Sequence, residues 1–294
     1  MFRDCVGPLS DHFVSVAREL VRELCPPILE SFRSDSRIPT KKIDGSFVTE
    51  TDYLVERRFI EVLTNAFPGV ALLGEEMAAS ACASSRGDVR GYYASVMASP
   101  QHIIIDPIDG TRNFVEGREP FCVAVALTKR VREGIWPEAG VVAIPAEGVM
   151  YWCNQSGVFQ ERIVSGEVER VERQLTPERR ISASSKDREW LASRGYSMKY
   201  PWLSSGASVH DLTSTAIGRI RASVVGHQRV WDLMAPLAIA ERLGCVLRDL
   251  EADEVVTAIG VDALSVDLER RPWGLTRKMM LVPGDMRVAD FIGK

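Results

Sequence analysis

The 294-residue chain is long enough for one large domain or two fused halves, and with 46% hydrophobic and 26% charged residues it has the make-up of an ordinary soluble globular protein. Its formal net charge of -4 leaves no basic excess for gripping duplex DNA or RNA, so an anionic ligand has to be held locally, by a metal or a few placed donors. The six cysteines (Cys5, Cys25, Cys82, Cys122, Cys153, Cys245) form no Cys-x-x-Cys pair and have no nearby histidine, which argues against zinc and a disulfide framework and fits a reducing cytoplasm.

The start, Met1-Phe2-Arg3-Asp4-Cys5, has no apolar signal core, and no later run is long enough for a bilayer span; a cytoplasmic protein with no membrane partner is expected. Leu9, Phe13, Val16, Leu20 and Leu24 recur at helical spacing and predict a first amphipathic helix, interrupted at Pro26-Pro27, with a continuation open through Ile28 and Phe32. A polar stretch follows, in which Asp44-Gly45 suggests a hairpin or tight turn. Thr49 and Asp52 then match a Ser/Thr-x-x-Asp/Glu helix start ahead of Val55, Phe59, Val62 and Ala66, so on spacing alone Asp52 reads as a first-turn acid facing the helix dipole. Residues 70–73 read as a short strand ending at Gly74-Glu75-Glu76, where a solvated Glu pair is the plain reading. The small-residue tract from Met77 to Ser99 is expected to be a mobile, exposed connection.

The central stretch is Ile103-Ile104-Ile105-Asp106-Pro107-Ile108-Asp109-Gly110-Thr111-Arg112-Asn113-Phe114. Three β-branched residues end a buried strand, and the chain then presents two carboxylates three positions apart. Carboxylate oxygens suit Mg²⁺ or Ca²⁺, a rigid Pro-Ile segment can aim the Ile108 carbonyl as a further ligand, and Gly110 lets backbone approach a bound anion. Turn forming or helix capping by the same aspartates stays open at this point.

Beyond it, residues 121–127, 141–144 and 149–152 read as strands, with Pro145 and Gly148 marking the turn between the last two. The charged segment from Glu161 to Arg180 reads as an exposed hairpin leading into a linker, dividing an N-terminal half (1–165) from a C-terminal half (175–294). In the second half a helix is expected at 188–194. Another is entered through Gly206-Ala207-Ser208 and runs to about Gly218, and a strand follows at 222–225. Trp231-Asp232 precedes Leu233, Leu237, Ala240 and Leu243 at helical spacing, closed by Gly244; here Asp232 alone reads as a cap. Residues 279–285 look like a closing strand.

Asp106-Pro107-Ile108-Asp109-Gly110-Thr111-x-Asn113-Phe114 resembles the signature of the inositol monophosphatase family of Mg²⁺-dependent, often lithium-sensitive phosphatases. Gly45-Ser46-Phe47-Val48-Thr49-Glu50-Thr51-Asp52 is similar to the family's Ser-Pro-Val-Thr-x-x-Asp segment, with Phe47 in place of the usual proline. Gly74-Glu75-Glu76 and Trp231-Asp232 match its two other motifs, in order, so the resemblance runs from Gly45 to about Leu250. It implies a layered α/β (α+β) sandwich of the αβαβα, sugar-phosphatase type, usually a homodimer.

The resemblance also implies roles. Glu75, Asp106 and the Ile108 carbonyl would hold one Mg²⁺; Asp106, Asp109 and Asp232 a second; a weaker third would sit near Glu75. Thr111 and Asp52 would orient and deprotonate the attacking water, with Glu75 beside them, and the N–H groups of Gly110 and Thr111 would hold phosphate oxygens. Gathering such acids without cations would raise their pKa values, so the cluster itself implies metal.

Substrate contact is expected from Gly206, Ala207, Ser208, Asp232 and the position of Val225, where inositol-specific relatives carry a Glu. A valine cannot accept hydrogen bonds from ring hydroxyls. His12, His102 and His210 read as surface or core residues, and His227 as a further substrate contact or another such residue. Arg219, Arg221, His227 and Arg229 form either a solvated face or a grip for a second phosphate. The expectation is thus a phosphate monoester hydrolase acting on inositol monophosphate or a related sugar or polyol phosphate. The alternatives are a bisphosphate phosphatase (fructose 1,6-bisphosphate or a 3′(2′),5′-bisphosphate nucleotide) and a regulatory binding protein that keeps the fold.

Overall fold

A computed structural model describes residues 6–34, 38–42, 45–84, 88–174, 179–267 and 272–294. The chain opens with α1 (Val6–Arg33), which is continuous rather than interrupted. Pro26 and Pro27 both lie on its exposed face, so the two missing N–H donors fall on the solvent side, while Leu24, Cys25 and Ile28 are buried and pin both halves of the helix. A short hairpin follows, β1 (Thr40–Lys41) against β2 (Phe47–Val48). Asp44 lies outside the described residues; Gly45, at φ +82°, donates its N–H to the Lys42 carbonyl and closes the turn.

Next come α2 (Glu50–Ala66), β3 (Ala71–Gly74), α3 (Glu75–Ser84), α4 (Val89–Met97), β4 (Gln101–Asp109) and α5 (Thr111–Val115). The expected mobile connection at 77–99 is therefore two helices over its described residues. Val89, Tyr93 and Met97 recur every four residues and are buried, and the Tyr93 hydroxyl bonds the Ser265 carbonyl and the Trp273 N–H. Small-residue composition misled because the anchoring contacts are long-range.

A meander continues through β5 (Cys122–Val131), β6 (Gly134–Ile144), β7 (Val149–Asn154), β8 (Gly157–Arg162) and β9 (Val168–Arg170). With β3 parallel to β4 and every other pair antiparallel, these form a seven-stranded sheet in chain order from β3 to β9. The charged hairpin at its end is exposed as expected, except at Glu161, whose carboxylate is fully buried and clasped by Arg18 and Arg22 of α1.

The remainder runs β10 (Ile181–Ser182), α6 (Ser185–Ser193), β11 (Ser197–Met198), β12 (Trp202–Leu203), α7 (Ser208–Ala216), β13 (Ala222–Val225), α8 (Val230–Arg242), β14 (Cys245–Asp249), β15 (Met279–Pro283) and β16 (Ile292–Gly293). A five-stranded sheet has the order β12-β10-β13-β15-β14.

Strand alternation explains how these pieces layer. Ile103, Ile105, Val123, Val125, Val141 and Met150 face one way, onto α1 and α2. Ile104, Ala124, Ala126, Val142 and Tyr151 face the other way, toward α7 and α8. Because both faces are covered, the strands read as continuous apolar runs. The helix α8 is buried almost all round, as befits a helix between two sheets, and Gly244 follows it at φ +76°. On the far side of the second sheet, Ile181, Ala222, Val224, Met280 and Val282 pack with Leu191 of α6 and Phe291. The fold is thus a mixed α/β sandwich, layered helix, sheet, helix, sheet, helix.

Candidate active site

The site begins with a parity problem in β4. Side chains three apart on a regular strand point to opposite faces, yet the register against β5 slips between Asp106, opposite Ala124, and Asp109, opposite Cys122. This bulge at Pro107-Ile108 absorbs one residue, so both carboxylates emerge toward α7 and α8 while Ile108 packs with the opposite core. Gly110 follows at φ +81°, and a side chain there would press on Ala207 and the Pro120 carbonyl.

Asp232 approaches from the first turn of α8, where one oxygen accepts the Arg229 N–H at 3.0 Å. Asp106, Asp109 and Asp232 each bring a carboxylate oxygen to within 4.8 Å of the others. Asp109 also accepts the Ser208 and Val209 N–H groups (3.0 and 2.9 Å) at the start of α7. Burial, with neighbouring carboxylates adding to it, pushes the carboxyls of Asp106 and Asp109 well above the usual range, and in Asp109 the two N–H bonds only partly oppose this. Among the described residues, Asp106 Oδ1 is buried with no hydrogen-bond partner. Such an oxygen, facing two other carboxylates, suits a bound metal ion.

Glu75 stands at the start of α3 outside that trio but lines the same cavity of about 370 Å³, as do Ile108, Gly110, Thr111, Ser46, Phe47 and Gly206. Its carboxylate accepts the Lys42 ammonium at 2.8 Å, and Lys42 also bridges to Glu76. Burial, then the Glu75 charge, raises the Glu76 carboxyl to about 8.

Asp52 lies just behind. One oxygen accepts the N–H and the hydroxyl of Thr49 (2.8 and 2.6 Å), the capping arrangement expected from the sequence; the other faces the Thr111 hydroxyl at 3.4 Å. The same hydroxyl is 2.9 Å from the Ile108 carbonyl. Burial outweighs the Thr49 bonds and brings the Asp52 carboxyl up to about 6. Asp52 thus accepts the N–H of Thr49 at the start of α2 and also reaches Thr111.

A second cavity of about 190 Å³ meets the first at Gly206 and is lined by Ala207, Ser208, Ser182, Ser184, Asp211, Ser223, Val224 and Gln228. Val225 is fully buried in the core and lines neither cavity; in β13 its neighbour Val224 does. Arg219 turns away to Glu147 and the Tyr151 hydroxyl, and Arg221 lies over Tyr200. His227 pairs with Lys278 and Asp187. Of that basic group, Arg229 lines the acid cavity, together with Arg112.

Sequence reasoning passed over several residues that shape the site. Asn113 ties the central turn to the Gly206 loop by donating to the Pro120 and Ser205 carbonyls (2.8 and 2.9 Å), and Gly206 is bare because a Cβ would strike Asn113. Lys42 is reached only through the hairpin. Asn113 stands in the central motif, but its Ser205 partner lies 92 residues away, and Lys42 reaches Glu75 across 33, so no local spacing signals either contact.

Solved structures share this layered α/β architecture. The inositol monophosphatase of Thermotoga maritima superposes with a TM-score of 0.65 at 18% identity, covering 92% of each chain. The model of the inositol monophosphatase family matches residues 9–272. Human inositol monophosphatase 2 is 30% identical over 256 residues, 83% of this chain and 82% of that protein. A Dictyostelium discoideum inositol monophosphatase is 34% identical over 118 residues, 40% of this chain and 39% of that one. The chain belongs to the inositol monophosphatase family, and with its relatives it is a phosphatase. Among the described residues no helix is long and apolar enough to cross a membrane.

Proposed function

We propose that this phosphatase is a Mg²⁺-dependent phosphate monoesterase acting on a small phosphorylated metabolite, an inositol phosphate or a related sugar or polyol phosphate. The observation that carries the proposal is the convergence of Glu75, Asp106, Asp109 and Asp232 from separate segments on one cavity, with Asp106 Oδ1 buried and, among the described residues, partnerless. In this reading Glu75, Asp106 and the Ile108 carbonyl would hold one ion, Asp106, Asp109 and Asp232 would hold another, and a weaker third would sit near Glu75. Bound Mg²⁺ supplies Lewis acidity and lowers the pKa of water.

The chain's own groups do the rest. Thr111 and Asp52 orient the attacking water and take its proton, the hydroxyl passing it to a carboxylate whose raised pKa suits a base near neutral pH. Gly110 and Thr111, opening α5, line the cavity, and their N–H groups suit phosphate oxygens. Gly206, where the cavities meet, and Ala207 and Ser208 of the smaller one contact the rest of the substrate.

Arg112 and Arg229 on the acid cavity support a second reading, a substrate with a second anionic group such as a bisphosphate. Phosphate release from a panel of mono- and bisphosphate esters, with Mg²⁺ and with EDTA, tests both. Hydrolysis is expected only with Mg²⁺ and is expected to fall at millimolar lithium. A folded protein that releases no phosphate from any ester supports a regulatory binding role instead. The family resemblance extends the proposal to a cytoplasmic homodimer, whose mass light scattering would read.

A further inference from the structure

On the buried face of α2, one turn after Asp52, stands a second acid that the chemistry above does not use. Glu56 is 3% exposed, and its two oxygens accept the N–H groups of Glu76 and Met77 at 2.9 and 2.7 Å. These are first-turn donors of α3, which have no partner inside their own helix. Gly74, the last residue of β3, lies against the same carboxylate: an ideal Cβ there would stand 2.5 Å from Glu56 Cδ. The strand-to-helix corner that carries Glu75 is therefore seated on a carboxylate from another helix. On its other side Lys42 bridges the side chains of Glu75 and Glu76.

Resting on the metal-dependent reading above, we infer that Glu56 is a positioning residue for the metal centre: by fixing the backbone of Glu76 and Met77 it sets where the Glu75 carboxylate enters the acid cavity. A rigid helix then carries two acids with separate tasks. Asp52 faces Thr111, and Glu56, four residues on, holds the corner from which Glu75 projects. Without Glu56 the corner keeps its sequence but loses its register, and Glu75 reaches the cavity from a scatter of directions. Groups that orient metal ligands matter for affinity nearly as much as the ligands do.

The test is direct metal binding, by calorimetry with Mg²⁺ and by electron paramagnetic resonance with Mn²⁺, on the full chain. Glu56→Gln keeps the shape but offers one good acceptor where two are needed. It is expected to weaken the tighter Mg²⁺ site by about 10- to 100-fold while the melting temperature in EDTA moves little. Gly74→Ala, which pushes the Glu56 carboxylate off the corner, is expected to do the same. Adding Glu56→Gln to Glu75→Gln is expected to cost no further affinity, because the two act through one ligand.

Unchanged metal affinity in folded Glu56→Gln overturns the inference, as does a loss that simply adds to that of Glu75→Gln. Failure of Glu56→Gln to fold also overturns it, since a structural role then suffices. Wild-type protein that binds no Mg²⁺ would instead sink the reading on which it rests.

Discussion

Asp106 and Asp109 lie on one side of β4 although three positions separate them, because the register slip against Ala124 and Cys122 inserts an unpaired residue between them. A regular strand would have buried one carboxylate under α1 and α2, among the apolar side chains that Ile105 and Ile108 pack with. The sequence feature responsible is the proline, which removes a ladder donor at the point where the ladder must break.

This geometry makes Asp109→Asn a clean probe. Asparagine keeps one acceptor for the Ser208 or Val209 N–H and removes a charge that burial already disfavours. Phosphate release with Mg²⁺ is expected to fall at least about 100-fold, the upper end of what even indirect damage to a metal site costs. The melting temperature in EDTA should hold within a few degrees. Equal loss of folding and turnover would make the residue structural.

Why the motifs were legible and their supports were not follows from the same physics. Asp52, Asp106, Asp109 and Asp232 each sit at the junction of a local element, so strand, turn and helix signals a few residues away locate them. Glu56, Lys42 and Asn113 act on groups 20, 33 and 92 residues distant, and no local period encodes that. The same limit hid α4, whose Tyr93 is anchored to Ser265 and Trp273. Pro26-Pro27 misled in the opposite sense: a local breaker was overruled because both rings sit on the solvent face of a helix already pinned by Leu24 and Ile28.

Asn113→Ala tests the link between the central turn and the Gly206 loop. It leaves the Pro120 and Ser205 carbonyls without their donor, at a cost of about 1–3 kcal/mol. Chemical denaturation should show that loss. Turnover should drop as well, because Gly206 joins the two cavities. A stability loss with unaltered kcat and KM would mean that the loop's position is immaterial to catalysis.

On the mechanism proposed above, Asp52 would give the pH dependence of the reaction its acid limb. The base form grows in as pH rises, so kcat/KM at saturating Mg²⁺ should climb on the acid side and level off, with its midpoint at or below about 6 because bound cations oppose the Glu75 charge that helps raise this carboxyl. Thr111→Ala should lower the plateau by cutting the path between water and carboxylate, and Asp52→Asn should abolish the limb. A profile in Asp52→Asn that still climbs on the acid side would assign the base elsewhere.

The same groups set how stability follows pH when no divalent ion is present. Asp52 at about 6 and Glu76 at about 8 bind protons more tightly in the folded chain than at their ordinary values of 3.8 and 4.5, and Asp106 and Asp109 shift the same way. The folded state therefore holds more protons than the unfolded one between those limits, and stability falls as pH rises through them. In EDTA the melting temperature should be higher near pH 5 than near pH 8. On the metal-dependent reading proposed above, Mg²⁺ would bind the ionised carboxylates of the folded chain, so its stabilising effect should be largest at pH 8, where the repulsion it relieves is greatest. A thermal-shift series over pH, with and without Mg²⁺, reads both slopes; a metal-free protein that grows more stable from pH 5 to pH 8 would mean that these acids are solvated rather than packed against one another.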